Sequence, residues 1–202
     1  MRVIAGSARR LLLKTVEGMD TRPTTDRIKE TLFNMIQNDL YGRSFLDLFA
    51  GSGAIGIEAL SRGASEAVFI DNGIRQVSCI RDNLKTTKLE SGAKVLNCGV
   101  LEGLSRLGRD HGAFDFIFMD AAKGQYMHWL PQILRLLPSG GVLLSDNVLQ
   151  DGDIVESRYA VERRNRTIHT RMRDYLYELT HMKEFETSVI PIGDGVALSV
   201  KR

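Results

Sequence analysis

The stretch Asp47-Leu48-Phe49-Ala50-Gly51-Ser52-Gly53-Ala54-Ile55-Gly56 carries three glycines in the pattern G-x-G-x-x-G. Glycine lets a backbone turn sharply and come close to a ligand, and this pattern between a strand and a helix is where doubly wound sheets hold nucleotide-type cofactors. Asp71 follows Gly51 by 20 residues, at the end of the next apolar run, where a carboxylate can grip ribose hydroxyls. A dinucleotide satisfies these signs too. Asp47 separates the two: an acid inside the strand end repels a pyrophosphate but attracts the cationic amino group and sulfonium of S-adenosylmethionine. The candidate cofactor-binding residues are therefore Asp47, Phe49, Gly51, Gly53, Gly56 and Asp71. The plainer role for Asp47 is to cap a helix or brace a loop, and for Asp71 to be an ordinary acid after a strand.

A second constellation lies further on, in Asp120-Ala121-Ala122-Lys123 and Ser145-Asp146-Asn147. Both follow apolar runs, which places two carboxylates and an amide oxygen at neighbouring strand ends beside the cofactor loop. Hard oxygen donors of this kind suit Mg²⁺ or Ca²⁺. A divalent ion held by Asp120, Asp146 and Asn147 lowers the pKa of a bound hydroxyl and aligns it with a methyl donor. Lys123 is placed to take the proton or steady the oxyanion, with Asp120 as its catalytic partner. The plainer role for each is in a loop or a cap.

Positioning such residues requires alternating strands and helices. Short apolar runs at 45–49, 67–71, 94–98, 114–120, 141–145, 187–191 and 196–201 alternate with helical stripes, which predicts a doubly wound parallel sheet. One stripe is Ile74, Val77, Ile80 and Leu84, another Tyr126, Trp129, Leu130, Ile133, Leu134 and Leu137. A long helix is expected over 156–183, with Tyr159 and Tyr175 in the core and His169 and His181 at the surface. Ile192-Gly193-Asp194-Gly195 reads as a hairpin turn, so the last two of seven strands form an antiparallel pair. Ahead of the sheet, 2–6 and 11–15 read as a hairpin. A helix follows, with Ile28, Leu32, Met35 and Ile36 on its inward face. The expected division is an extension over 1–40 and a Rossmann-like α/β domain over 41–202.

The 202 residues suffice for one domain with a substantial core, and 43% hydrophobic with 26% charged residues argues against disordered or repetitive classes. No apolar run approaches the ~20 residues that cross a bilayer, and no leader stretch opens the chain, so a cytoplasmic protein without a membrane partner is expected. Cys79 and Cys98 have neither metal-ligand nor disulfide spacing and are read as buried thiols. The net charge of +2 announces no nucleic-acid binder by itself, but its distribution is uneven. Residues 1–29 hold Arg2, Arg9, Arg10, Lys14, Arg22, Arg27 and Lys29 against three acids, and 158–173 hold six arginines against Glu162. Such clusters suit phosphate contacts, which makes RNA a plausible partner.

Two resemblances sharpen this reading. Residues 1 to about 98, through Met1-Arg2-Val3-Ile4-Ala5-Gly6-Ser7, Thr21-Arg22-Pro23-Thr24-Thr25-Asp26-Arg27, the 47–56 loop and Glu58-Ala59-Leu60-Ser61-Arg62-Gly63, closely resemble the bacterial 16S rRNA guanine-N2 methyltransferase family. That resemblance implies an Asp-Pro-Pro-Tyr-like motif after the fourth strand, where this chain has Asp120-Ala121-Ala122-Lys123. From about 114 to 202, through Arg163-Arg164-Asn165-Arg166-Thr167 and Pro191-Ile192-Gly193-Asp194-Gly195, the chain resembles the metal-dependent O-methyltransferases. That family includes catechol and caffeoyl-coenzyme-A enzymes and a bacterial branch modifying 5-hydroxyuridine in tRNA, to which this chain is most similar. It implies Asp120, Asp146 and Asn147 as metal ligands and Lys123 as the lysine beside them. The chain thus looks composite, with a join between about 99 and 113.

Both resemblances imply an acid after the third strand that meets the adenine amino group, where this chain has Gly99. The expected activity is metal-assisted O-methylation of a hydroxyl in RNA, with S-adenosylmethionine as donor. tRNA, rRNA and a small hydroxylated aromatic are all acceptors compatible with the resemblances. The alternatives are guanine-N2 methylation of 16S rRNA and a catalytically silent RNA-binding protein.

Overall fold

Short runs such as Phe45-Leu46 and Ala67-Val68-Phe69-Ile70 are apolar on both faces, as strands of a parallel sheet covered by helices must be. The computed structural model describes residues 1–16, 26–121, 125–157 and 159–202. Its sheet has seven strands, the expected α/β architecture. The chain divides into two compact units, Met1–Leu107 and Gly108–Arg202. That division falls inside the 99–113 interval where the two resemblances meet.

In the first unit the order of elements is α1 (Asp26–Leu40), β1 (Ser44–Leu48), α2 (Ala54–Ser61), β2 (Glu66–Asp71), α3 (Ile74–Thr87) and β3 (Ala93–Asn97). Then α4 (Val100–Asp110) carries the chain across the division. The strands lie in the order β3-β2-β1, all parallel, with Asp47 opposite Phe69 and Asp71 opposite Asn97. Helix α2 is buried at all eight positions, which explains why its sequence lacks a polar face. On α1 the inward residues are Lys29, Leu32, Phe33, Ile36 and Leu40. Met35, expected inward, is 42% exposed, because the true stripe runs through Phe33 instead. The residues expected to cap α1, at 23–25, lie outside the described residues.

The expected N-terminal hairpin forms through one isolated antiparallel bridge between Arg2 and Leu12, with Val3 N donating to Leu11 O at 2.9 Å. Its attachment depends on one buried carboxylate. Glu58 on α2 accepts from the backbone N–H groups of Ile4 (2.8 Å) and Ala5 (3.0 Å). Lys29 Nζ at 3.3 Å and Arg62 Nε at 2.8 Å balance its charge. Lys29 also donates to Arg2 O at 2.6 Å.

The second unit contains β4 (Phe116–Met119), α5 (Tyr126–Leu136), β5 (Val142–Ser145), α6 (Arg166–His181), β6 (Phe185–Ile190) and β7 (Val196–Lys201). Its strand order is β4-β5-β7-β6, parallel between β4 and β5 and antiparallel thereafter, as the 192–195 turn predicted. That turn also holds the loop after β5, through Val148 N to Gly195 O and Leu149 N to Asp194 O.

The long helix differs from expectation. It begins at Arg166 rather than near 156, because side chains of α6 occupy the carbonyls of the preceding segment. Arg166 donates to Val161 O and Tyr159 O, and His169 Nε2 lies 3.2 Å from Glu156 O. In consequence His169, expected at the surface, is buried, and Tyr159, expected in the core, is 84% exposed. Tyr175 is buried as predicted, and both cysteines are free, buried thiols.

Candidate functional site

At the end of β1 the chain makes its glycine turn with Phe49, Gly51 and Gly53 all at positive φ. For Phe49 (φ 62°) this is a sparsely populated region, and such strain persists only where surrounding structure enforces it. Asp71 provides part of that enforcement. One carboxylate oxygen accepts from Gly51 N and the other from Gly73 N, each at 2.9 Å. The carboxylate is half-buried, and each oxygen retains a further lone pair for a ribose hydroxyl.

Asp47 is 2% exposed, and its Oδ2 accepts from Gly56 N at 3.0 Å in the first turn of α2. This is the capping role, and it puts a negative charge at the helix N-terminus, where charge of that sign is favoured. Gly56 itself serves packing. A Cβ there would lie 2.4 Å from the Phe69 ring, so only glycine lets α2 sit on β2. At Gly99, by contrast, a Cβ would meet nothing within 4 Å.

Asn83 on α3 is a member of this cluster that sequence reasoning missed. Fully buried, it donates from Nδ2 to Ser52 O in the glycine turn (2.9 Å) and to Lys14 O in the hairpin (3.0 Å). Its Oδ1 accepts from Lys14 N at 2.8 Å. A single side chain thus ties hairpin and cofactor loop together. The available signal was an amide one position before Leu84 in an otherwise apolar stripe.

In the second unit the structure gathers Asp120, Asp146 and Asn147. Asp146 N donates to Met119 O at 3.0 Å, which sets the two strand ends side by side. Asn147, left-handed at φ 58°, donates its backbone N–H to Asp146 Oδ1 (2.8 Å) and its Nδ2 to Asp120 Oδ1 (2.7 Å). Lys123, the fourth expected member, lies outside the described residues.

Among the described residues no group of three or more His, Cys, Asp or Glu gathers, so the cluster is two acids and an amide. The donor set fits a hard cation. The amide now turns its NH₂ to Asp120, and the reversed amide would set oxygen against carboxylate, an arrangement that a cation between them favours.

Tyr126 and Tyr175 buttress this cluster, and sequence reasoning took both simply as apolar-face residues. The Tyr126 hydroxyl accepts from Ala121 N (3.2 Å) and donates to Asp146 O (2.8 Å), joining the loops that carry the two acids. Burial, then the nearby Asp120 charge, pushes this phenol well above its usual range. Tyr175 shares a 2.6 Å hydrogen bond with Ser145 and packs its ring 5.0 Å from that of Tyr126. Burial raises its hydroxyl too. The detectable signal was tyrosine, not phenylalanine, on a buried stripe, since a buried hydroxyl seeks a partner.

A strand-end glycine turn braced by an acid, on a seven-stranded α/β sheet, defines a nucleotide-cofactor class of protein. Within it, the chain belongs to the family described as Conserved hypothetical protein 95, whose profile matches residues 1–173. It is 44% identical over 120 residues to the Bacillus subtilis protein YlbH, covering 59% of this chain and 65% of that one. It is 32% identical over 169 residues to Ribosomal RNA small subunit methyltransferase D of Escherichia coli K12, covering 84% and 82%. A 103-residue match to Caffeoyl-CoA O-methyltransferase of Petroselinum crispum is 32% identical and covers 49% of this chain and 42% of that one. Relatives of both resembled kinds are therefore found. In fold, the chain superposes on the O-methyltransferase from Bacillus cereus in complex with SAH with a TM-score of 0.77, at 19% identity, over 93% of this chain and 84% of that one.

Proposed function

We propose that this chain is an S-adenosylmethionine-dependent methyltransferase acting on ribosomal RNA. The observation that carries the reading is the glycine turn held by both oxygens of Asp71, in a family whose relatives include an enzyme named for ribosomal RNA methylation. When bound, S-adenosylmethionine supplies an electrophilic methyl group on a sulfonium. Asp71 accepts the ribose hydroxyls, Gly51 and Gly53 bring backbone close to the ligand, and Phe49 lines the turn. Asp47 holds α2 in place and adds negative potential for the cationic end of the donor. The tRNA and small-aromatic acceptors expected from sequence are weaker candidates, since neither relative of the rRNA kind points to them.

A second reading concerns the acceptor atom. The Asp120–Asn147–Asp146 cluster favours oxygen over nitrogen, because these residues would hold a divalent ion, and such an ion would lower the pKa of a hydroxyl rather than assist an exocyclic amine. Here Asp120, Asp146 and Asn147 orient the acceptor, and Lys123 receives its proton.

The test is incorporation of labelled methyl into ribosomal RNA, tRNA and catechol, with Mg²⁺ and with EDTA. Label in ribosomal RNA that disappears with EDTA and with Asp146→Ala supports both readings. Label in ribosomal RNA that ignores EDTA keeps the first and overturns the second. No label in any acceptor, together with no cofactor-induced rise in melting temperature, overturns both.

A further inference from the structure

The carboxyl ends of β1, β2 and β3 lie side by side in the order β3-β2-β1, and the proposed donor site accounts for two of them. Asp47 and the glycine turn serve the charged end of the donor at β1, and Asp71 takes the ribose at the end of β2. Beyond the ribose comes the base. On that layout it falls at the end of β3, where the chain reads Asn97-Cys98-Gly99-Val100.

This stretch is fixed on both sides. Cys98 N donates to Asp71 O at 3.2 Å and Asn97 Nδ2 to the same carbonyl at 3.1 Å, while Gly99 O accepts from Gly103 N at 2.9 Å in the first turn of α4. Helix α4 is in turn pressed onto β2, since a Cβ on Gly103 would lie 2.6 Å from Ile70 Cδ1. Yet a Cβ on Gly99 would meet nothing within 4 Å, and its backbone lies outside the left-handed region. The open space is therefore set by the packing of β2, β3 and α4.

No acid nearby in the sequence reaches into that space as a substitute. Glu102, the next acid along the chain, pairs with Arg106 one turn further along α4. A site that hydrogen-bonds a ligand's amine rejects the analogue that lacks it, because the site's own polar group is then left unpaired. A site with neither acceptor nor wall at that point rejects nothing there.

We infer that this chain leaves the exocyclic amine of the donor's adenine unread, that Gly99 is the residue responsible, and that adenosyl ligands substituted at N6 bind as readily as the parent. The inference rests on the proposed methyltransferase reading and adds to it the breadth of donor that the site admits.

The test is titration calorimetry of the full chain with S-adenosylhomocysteine and with its N6,N6-dimethyl and N6-benzyl derivatives. Both derivatives keep N1 of the purine as an acceptor, so they differ from the parent only at position 6. The dimethyl form has no hydrogen to donate, and the benzyl form demands room. The wild type is expected to bind all three ligands within about 3-fold of one another. Gly99→Asp introduces a reader and should bind the dimethyl form about 10-fold more weakly than the parent. Gly99→Leu fills the space without a carboxylate, so it should keep the parent's affinity and bind the benzyl form on the order of 10-fold more weakly.

Discrimination by either variant, with none by the wild type, supports the inference. A wild type that binds the parent but weakens about 10-fold with either derivative overturns it and leaves the methyltransferase reading in place. Asn97 Oδ1 would then be the group to examine as the reader. Equal binding of all three ligands by all three chains also overturns it, since position 99 would not lie at the base. A wild type that does not bind the parent overturns the methyltransferase reading, and the inference with it.

Discussion

At the scale of single residues, Gly99 is where this chain departs most plainly from both families it resembles. A side chain there meets open space, so the missing acid is a matter of composition and not of room. Gly99→Asp is expected to tighten binding of S-adenosylhomocysteine by about 0.5–1.5 kcal/mol, the worth of one added hydrogen bond, as read by calorimetry. Residue 99 also precedes α4, where aspartate can cap the helix. Gly99→Asn is therefore the control, because it caps without adding a carboxylate. Equal affinity in the two variants would leave no role for the acid.

At the scale of elements, two joints hold functional segments, and each depends on a buried polar group. Glu58 fastens the hairpin to α2. Glu58→Ala leaves Lys29 and Arg62 buried without their counter-charge and is expected to cost about 3–5 kcal/mol of stability in urea. A loss under 1 kcal/mol would mean that the hairpin is not anchored there. Tyr126 is the joint of the second unit. Tyr126→Phe removes the hydroxyl linking Ala121 to Asp146, and should lower kcat with little change in the KM for S-adenosylmethionine. If instead the cofactor KM rises and kcat holds, Tyr126 does not position the acids.

Glu58 and Asn83 escaped sequence reasoning for one reason. Both sit on helices whose neighbours are apolar, and each reaches hairpin backbone more than 50 residues away. Strands, the terminal hairpin and the gathering of Asp120 with Asp146 and Asn147 were legible, since periodicity and strand-end placement are local signals. The start of α6 was not, because its position depends on side chains reaching back to carbonyls that a periodic stripe cannot reveal. Asp47 shows the intermediate case: its place was legible, but the hydrogen bond to Gly56 emerged only once α2 was folded over it.

At the scale of the molecule, its buried acids of low strength set the alkaline limit. Burial raises the thiols of Cys79 and Cys98 above their ordinary 9.0, and raises the hydroxyls of Tyr126 and Tyr175 above 10.0. Each group keeps its proton in the folded chain after the unfolded chain would release it. The stability they contribute is thus complete below pH 9 and is lost as pH climbs beyond. Lys29 acts in the opposite sense, since burial, outweighing the Glu58 charge, lowers it, and its contribution improves as pH rises toward 10.5. With four groups against one, the melting temperature should fall steadily above pH 9. Two of the five tyrosines should show phenolate absorbance only as helical ellipticity disappears. All five ionising before that loss would contradict the burial of these two rings. Among the described residues no helix is long and apolar enough to cross a membrane.

The amide of Asn83 grips Ser52 with one hand and Lys14 with the other, so whatever quiets the glycine turn must also quiet the strand tail that shares the grip. Deuterium uptake at the Lys14 amide should therefore slow when S-adenosylhomocysteine is added, although that proton touches no ligand, and Asn83→Ala should erase the effect. An exchange rate indifferent to ligand would mean that the two segments merely share an anchor without exchanging news through it.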